Sequence, residues 1–483
     1  MAQRQRRAAN SARTAEQRVQ HLLWLSLAVL VVKLVIIAGT GTGAWLGADG
    51  ENYTSQVQLI WKNGLFTSGL DYWPAGYALT LWVLSFAGHA AMPWVLSIVQ
   101  TVAWSAAVWL LAREVLHTRV TWVALPAAYL ALLNPTLTLT SITIGYESLA
   151  GAAQMVGVAL LLRDLRVQPT DRRWLYPVLA GAVLGYSLAL QPRLAIGALL
   201  IFAIWWHARR AEPGFIRPIA AGLVVMALFP LALVARNELA IGRPVLSSNL
   251  GVNMMMGVGS DSTATYGSES KAVQCSTLPT DPISADNAKV ACALSWYLHN
   301  PGPTLVLAWK KSVNLWSSWW GPLARGTMAR NPYLAFHPIR SITTTQSMLD
   351  LVLGPAGQTV EWLWLLGGWF ALAVGFWALW RLGGTERALG SAALAVILGS
   401  WAVTIGTFGD HRFRLPFMGL SLLLQAVGWG AVFMRGRVPG LVEPLWGRRS
   451  ATATTTGVQV GTSSSPAPKA GAQLSKSARR KRR

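Results

Sequence analysis

Long apolar runs separated by short arginine-bearing segments make up most of this chain, and that alternation leaves it few possible folds. The first run, residues 22–38, follows Arg4, Arg6, Arg7, Arg13 and Arg18. Apolar runs of about 20 residues have the length of a membrane-spanning helix, and charge beside them is expensive. With 53% hydrophobic and only 12% charged residues, a soluble core cannot be the main architecture.

The expected fold class is all-α, a polytopic transmembrane helix bundle. Its spans fall at about 22–38, 94–112, 120–137, 148–162, 175–190, 195–207, 219–235, 361–380, 389–408 and 415–434, roughly ten in all, several of them short. Residues 74–86 are apolar but too few to cross, and read as a re-entrant or juxtamembrane helix in the first outer loop. A full crossing there would need one more elsewhere, giving about 11–12 spans.

The net charge of +22 raises the question of nucleic acid. The arginines, however, sit in loops and tails, as in cytoplasmic anchoring to anionic membrane lipids, and no exposed basic face for nucleic acid is expected. Counting from an inside N-terminus, Arg113/Arg119, Arg163/Arg166/Arg172/Arg173, Arg209/Arg210/Arg217 and Arg381/Arg387 all fall inside. The prediction is a multi-pass plasma-membrane protein with both termini cytoplasmic. The first run has no small-residue cleavage site and reads as a retained span. Residues 1–20 form a basic N-terminus, 21–435 the membrane domain, and 436–483 a disordered basic tail. No repeat of fixed period is evident.

Two outer loops are long, at about 40–93 and 236–359, with a long outer loop between spans 7 and 8. The second holds the only cysteines, Cys275 and Cys292, in a compartment that favours a disulfide over two free thiols. The ionic residues Asp49, Glu51, Glu147, Arg193, Arg236, His411, Arg412 and Arg414 all lie at the outer mouths of spans. Charge gathered at one face of a bundle marks a reaction or binding site by default.

Six segments carry a family likeness. They are Ala48-Asp49-Gly50-Glu51-Asn52-Tyr53; Asp71-Tyr72-Trp73-Pro74-Ala75-Gly76-Tyr77; Gly145-Tyr146-Glu147-Ser148-Leu149; Gln191-Pro192-Arg193; Arg236-Asn237 through Ser247-Ser248-Asn249-Leu250-Gly251-Val252-Asn253; and Arg412-Phe413-Arg414-Leu415-Pro416. In this order they resemble the GT-C membrane glycosyltransferases that draw on polyprenyl-phosphate sugars, the protein O-mannosyltransferase-like enzymes among them. Ala75, Ala78, Tyr146 and the order Pro192-Arg193 depart from that pattern. The resemblance covers most of the membrane region. It implies a polyprenyl-phosphate sugar donor, an acceptor glycan, lipid or protein, and a substrate pocket that includes Tyr53, Tyr72, Trp73, Asn237, Asn249 and Asn253.

The chemistry of such a transfer needs a base for the acceptor hydroxyl, and Asp49 is the expected base with Glu51 as its rival. The departing phosphate is already an anion and needs cationic donors, which Arg236, Arg412, His411, Arg193 and Arg414 can supply. Asp49 would otherwise be a helix cap, Glu147 a partner of its helix dipole, Arg236 the end of a span, and Arg193 a side chain reaching for headgroups. No cofactor is certain. A divalent cation (Mg, Mn or Ca) on Asp49, Glu51 and Glu147 is the one the superfamily resemblance suggests. Zinc spacing and a nucleotide-phosphate loop are absent.

Lys33 lies within the first run, where a cation costs about 3 kcal/mol and must face the bundle. Residues 309–320 read as an interfacial amphipathic helix, with sugar or lipid-phosphate binding as the second reading. A transporter or lipid flippase using the same charges is the rival function, and a non-catalytic scaffold the third.

Overall fold

The computed structural model describes residues 2–41, 43–46, 49–134, 137, 140–167, 174–267, 271, 273–275, 278–316 and 355–433. Residues 317–354 and the tail from 434 onward, where part of the aromatic outer segment and the basic C-terminus fall, lie outside them. Among the described residues are fifteen α-helices and one pair of two-residue strands. In chain order these are α1 (Ala2–Thr40), β1 (Trp45–Leu46), α2 (Gly50–Asn63), α3 (Gly76–Leu84), α4 (Met92–Val115), α5 (Ala124–Leu133), β2 (Thr143–Ile144), α6 (Glu147–Arg166) and α7 (Leu175–Leu190). Then follow α8 (Ala195–Arg209), α9 (Ile216–Ile241), α10 (Leu250–Met256), α11 (Pro282–His299), α12 (Pro301–Trp316), α13 (Pro355–Leu382), α14 (Gly384–Gly406) and α15 (Leu415–Phe433).

Seven segments are long and apolar enough to cross a membrane: Gln17–Ile36, Met92–Val115, Glu147–Arg166, Ile216–Ile241, Leu365–Leu382, Gly384–Gly406 and His411–Phe433. The short spans expected at 120–137, 175–190 and 195–207 are present as the shorter helices α5, α7 and α8, and α7 has the expected bounds. Proline sets the ends of two of them. The residue before a proline is driven out of the helical region, so α5 stops at Leu133 before Asn134-Pro135, and α7 stops where Gln191 turns extended before Pro192. Residues 74–86 become α3 and a following 3-10 turn, Ser85–Ala87, so a short helix does occupy that place. Gly76 is needed there because a Cβ would run into the Ala189 carbonyl, where α3 meets α7.

The helices sort by burial. In the central span Glu147–Arg166, 78% of the apolar window is buried, and in His411–Phe433 72%, against 22% in Gln17–Ile36 and 28% in Ile216–Ile241, whose apolar sides face outward. Small residues put α6 at the centre: Ala150, Gly151, Ala153 and Gly157 let neighbours approach, and Gly151 lies against Trp104 and the backbone of Pro416. Two of the most buried tryptophans satisfy their polar atom. Trp104 Nε1 donates to Ala131 O at 3.1 Å, and Trp205 Nε1 to Asp164 Oδ2 at 2.8 Å. Lys33 is fully buried and donates to Ser141 Oγ at 2.6 Å, so it faces the bundle and meets a hydroxyl rather than a carboxylate.

Two features prepare the site. β1 and β2 pair in parallel, Trp45 with Thr143 and Leu46 with Ile144. Three residues beyond each strand stand Asp49 and Glu147, so the pairing sets the starts of α2 and α6 side by side. In the second outer segment Cys275 and Cys292 form a disulfide with Cα atoms 5.7 Å apart, within a small core of Met254, Met255, Val258, Val273 and Ala293. α12 is amphipathic, burying Leu307, Lys311, Ser312, Leu315 and Trp316 while Lys310 and Trp309 are exposed.

Candidate active site

A cavity of about 540 Å³ opens at the bundle end where α2, α6 and α10 begin and α7 and α14 stop. Asp49 lines it. The carboxylate precedes α2 yet makes no capping hydrogen bond, so the cap reading does not apply to the side chain. Instead Asp49 Oδ2 accepts from Arg412 Nη1 at 2.6 Å. Arg412 comes from the 3-10 turn His411–Arg414 that leads into α15, and Asp410 begins that turn by accepting from Arg412 N at 3.0 Å. Asp410 Oδ2 also lies 3.4 Å from Arg412 Nε, so the guanidinium is held between two carboxylates. Such a pair, only 12–20% exposed at its side chains, is fixed in geometry but remains able to change partners when another anion arrives.

Arg193 reaches the same cavity from the 3-10 turn Pro192–Leu194. Its guanidinium carbon sits 3.3 Å from the centroid of the Phe413 ring. Nε and Nη1 are buried with no hydrogen-bond partner among the described residues. A buried cation without an acceptor is costly, so its position suits a site that receives an anion. Glu147 begins α6 and is fully buried, its carboxylate oxygens without a hydrogen-bond partner among the described residues and within electrostatic reach of Arg412 and Asp49.

Aromatic and amide groups complete the walls. Tyr53, Tyr72 and Trp73 line the cavity, Tyr72 and Trp73 edge-to-face at 4.6 Å. Tyr146 lines it too and accepts from Gln191 Nε2 at 2.7 Å. Burial, the largest effect on both, pushes the Tyr53 and Tyr146 phenols above their ordinary range, so each remains a protonated donor. Asn249 and Asn253 approach from α10, whose leading segment is tied to the first outer loop by Ser248 N and Oγ donating to Asp71.

The remaining sequence candidates lie elsewhere. Glu51 is exposed and does not line the cavity. Arg236 donates to Leu65 O at 2.9 Å, to Thr67 O and to Asn237 Oδ1, and Asn237 in turn donates to Val245 O at 2.7 Å. Both therefore bind loop carbonyls at the end of α9 and stand apart from the cavity lining. Arg414 is buried beside the site and His411 is half-buried; neither lines the cavity.

Sequence reasoning missed Asp410, whose signal was its place directly before the His411–Arg414 run, read there as basic only. It also missed Tyr266, which lines the cavity because Gly409 N donates to Ala264 O at 2.8 Å and the Tyr266 ring lies 5.8 Å from Phe408. Nothing in the linear sequence marks that contact.

For a divalent cation the fit is poor. Among the described residues no three His, Cys, Asp or Glu side chains converge, Asp49 is committed to Arg412, and Glu51 is out on the surface.

No protein-family model matches the chain, and no curated protein matches it. Among solved structures it is similar to the Archaeoglobus fulgidus oligosaccharyltransferase. The complex with Zn and sulfate is 16% identical with a TM-score of 0.39, over 84% of this chain and 49% of that one. The form tethered with an acceptor peptide containing the NVT sequon is 15% identical with a TM-score of 0.43, over 84% and 49%. The complex with an inhibitory peptide and a dolichol-phosphate is 15% identical with a TM-score of 0.36, over 84% and 50%. The chain spans about half the length of these structures, and at such scores no substrate or residue role passes from them to it.

Proposed function

We propose that this chain is an inverting glycosyltransferase of the GT-C kind, moving a sugar from a polyprenyl-phosphate carrier to an acceptor hydroxyl at the outer face of the plasma membrane. The observation that carries this reading is one cavity holding a carboxylate, Asp49, together with two guanidinium groups, Arg412 and Arg193, at the ends of apolar helices. A lipid-linked phosphate anion at a membrane surface has the charge and location to match.

In the reaction the acceptor oxygen bonds to the anomeric carbon while its proton passes to Asp49. The bond from that carbon to the phosphate oxygen breaks, and the electron pair leaves on the phosphate. Attack opposite the leaving group inverts the anomeric centre. Arg193 offers its unpartnered N–H groups to the phosphate, and Arg412 turns from Asp49 toward it. Donor phosphate and Asp49 thus compete for Arg412, so donor binding frees the base and should precede acceptor binding. Tyr72 and Trp73 offer ring faces to a sugar, and a cavity of about 540 Å³ is of the size that encloses a compact ligand. Glu147 is buried outside the cavity lining and acts on the site through its electrostatic coupling to Arg412 and Asp49.

The test is incubation of purified protein with a panel of polyprenyl-phosphate sugars, scoring which donor is consumed. Asp49→Asn should reduce transfer by about 10²–10⁴-fold while donor binding persists. Transfer undiminished in that variant, or no donor consumed by the unaltered protein, overturns the assignment.

A further inference from the structure

A second cavity, about 890 Å³, lies at the far end of three helices that reach the Asp49 cavity. α6 runs from Glu147 to Leu165, which lines the second cavity. α8 begins beside Arg193 and ends at Arg209, and α14 runs from Gly384 to Gly406 in the opposite sense. A helix of α8's length spans roughly 22 Å, so the two cavities open at opposite ends of the bundle.

The ion pairs at that far end, among the described residues, leave two of the arginines that line this cavity without a carboxylate partner. Glu114 takes Arg163 and Arg166, Asp164 and Glu212 both take Arg209, and Glu386 takes Arg119. Among the described residues Arg210 and Arg387 line the cavity without a carboxylate. Arg210 lies near His207, and Arg387 lies over the Trp380 ring at 4.9 Å and donates to Trp380 O. Leu165, Ile204, Ala208, Trp380 and Ala388 give the cleft an apolar side, while Thr385 and Ser391 are polar and the one lining carboxylate, Glu212, is paired with Arg209. Outside the cleft the apolar surface continues along α8 at Leu199 and Leu200, and along α13 at Trp377, all exposed.

We propose that this cleft binds an anionic glycerophospholipid, with the phosphate between Arg210 and Arg387 and the acyl chains along Ile204 and Trp380. Charge alone would suit any phosphate. The apolar side and its continuation into a bilayer-facing surface select the lipid, because a free anion gains nothing from them. The site stands apart from the transfer reaction, so binding is read without any activity.

The full chain, purified in detergent, would be mixed with phosphatidylglycerol, phosphatidylcholine or inorganic phosphate and examined by native mass spectrometry. Phosphatidylglycerol should be retained in preference to phosphatidylcholine. The double variant Arg210→Gln/Arg387→Gln should weaken that retention by roughly tenfold or more. Ala208→Trp, which fills the cleft and leaves its charges, should weaken it as well, whereas Arg381→Gln, at the same end but outside the cleft, should not. Equal retention of both lipids, displacement of the lipid by millimolar phosphate alone, or indifference to both cleft variants overturns the proposal.

Discussion

At the scale of single residues, two arginines that look alike in sequence have opposite surroundings. Arg236 has acceptors for its guanidinium in Leu65 O, Thr67 O and Asn237, whereas Arg193 keeps two buried nitrogens without partners among the described residues. Arg236→Met should strand the two carbonyls at about 1–3 kcal/mol each, which thermal unfolding will register, and leave the donor KM unchanged. Arg193→Gln should leave the melting temperature in place. It should raise the donor KM and lower kcat/KM by about 10–100-fold, the value of a hydrogen bond to a charged group. The reverse pattern would exchange their roles. That Asp49 would line an outward cavity was legible because a carboxylate at the mouth of a span is costly unless it faces a polar space. Its engagement with Arg412 was not, since 363 positions separate the two.

At the scale of elements, α12 shows what an amphipathic pattern does and does not reveal. Lys310 and Lys311 are neighbours in sequence, yet Lys310 is exposed and Lys311 is fully buried. Lys311 Nζ donates to Tyr297 OH at 2.8 Å and Ile405 O at 2.7 Å, fastening α12 to α11 and to the end of α14, which carries the Thr407–Phe408 wall. Burial lowers its pKa from 10.5 to about 7. Between those values the folded form binds fewer protons than the unfolded form, so stability from this group is complete above about 10.5 and is lost as pH falls toward 7. Lys311→Met should therefore flatten the melting temperature against pH across that window in a thermal scan; an unchanged slope would rule out Lys311 as its source. The disulfide acts on the neighbouring elements, closing the segment between Cys275 and Cys292 on α11. Cys275→Ser/Cys292→Ser should lower stability by about 3 kcal/mol for a loop of this length, seen as a lower melting temperature under non-reducing conditions.

At the scale of the whole molecule, the charges gather at two ends of one apolar bundle: Asp49, Glu147, Arg193 and Arg412 at one, and the pairs of Glu114, Asp164 and Glu386 at the other. Single cysteines at Glu51 and Tyr72 should be labelled by an impermeant maleimide from outside intact cells, and a cysteine at Arg210 only after permeabilisation. Labelling of all three from one side would break the threading. The all-helical class and most of the long spans were readable from sequence because apolar run length and loop arginines act locally, through the energy of placing each group in lipid or water. Proline at 135 ends α5 at Leu133, short of the expected 137, whereas α7 ends at the expected residue 190, ahead of Pro192. The convergence that makes a site belongs to the tertiary structure alone. Which carboxylate meets which arginine, that Arg236 serves a loop while Arg193 stays open, and that Tyr266 joins the cavity all depend on contacts between distant segments. Those contacts are set by how the helices pack and by the short β1–β2 pairing, and periodicity or composition carries no record of them.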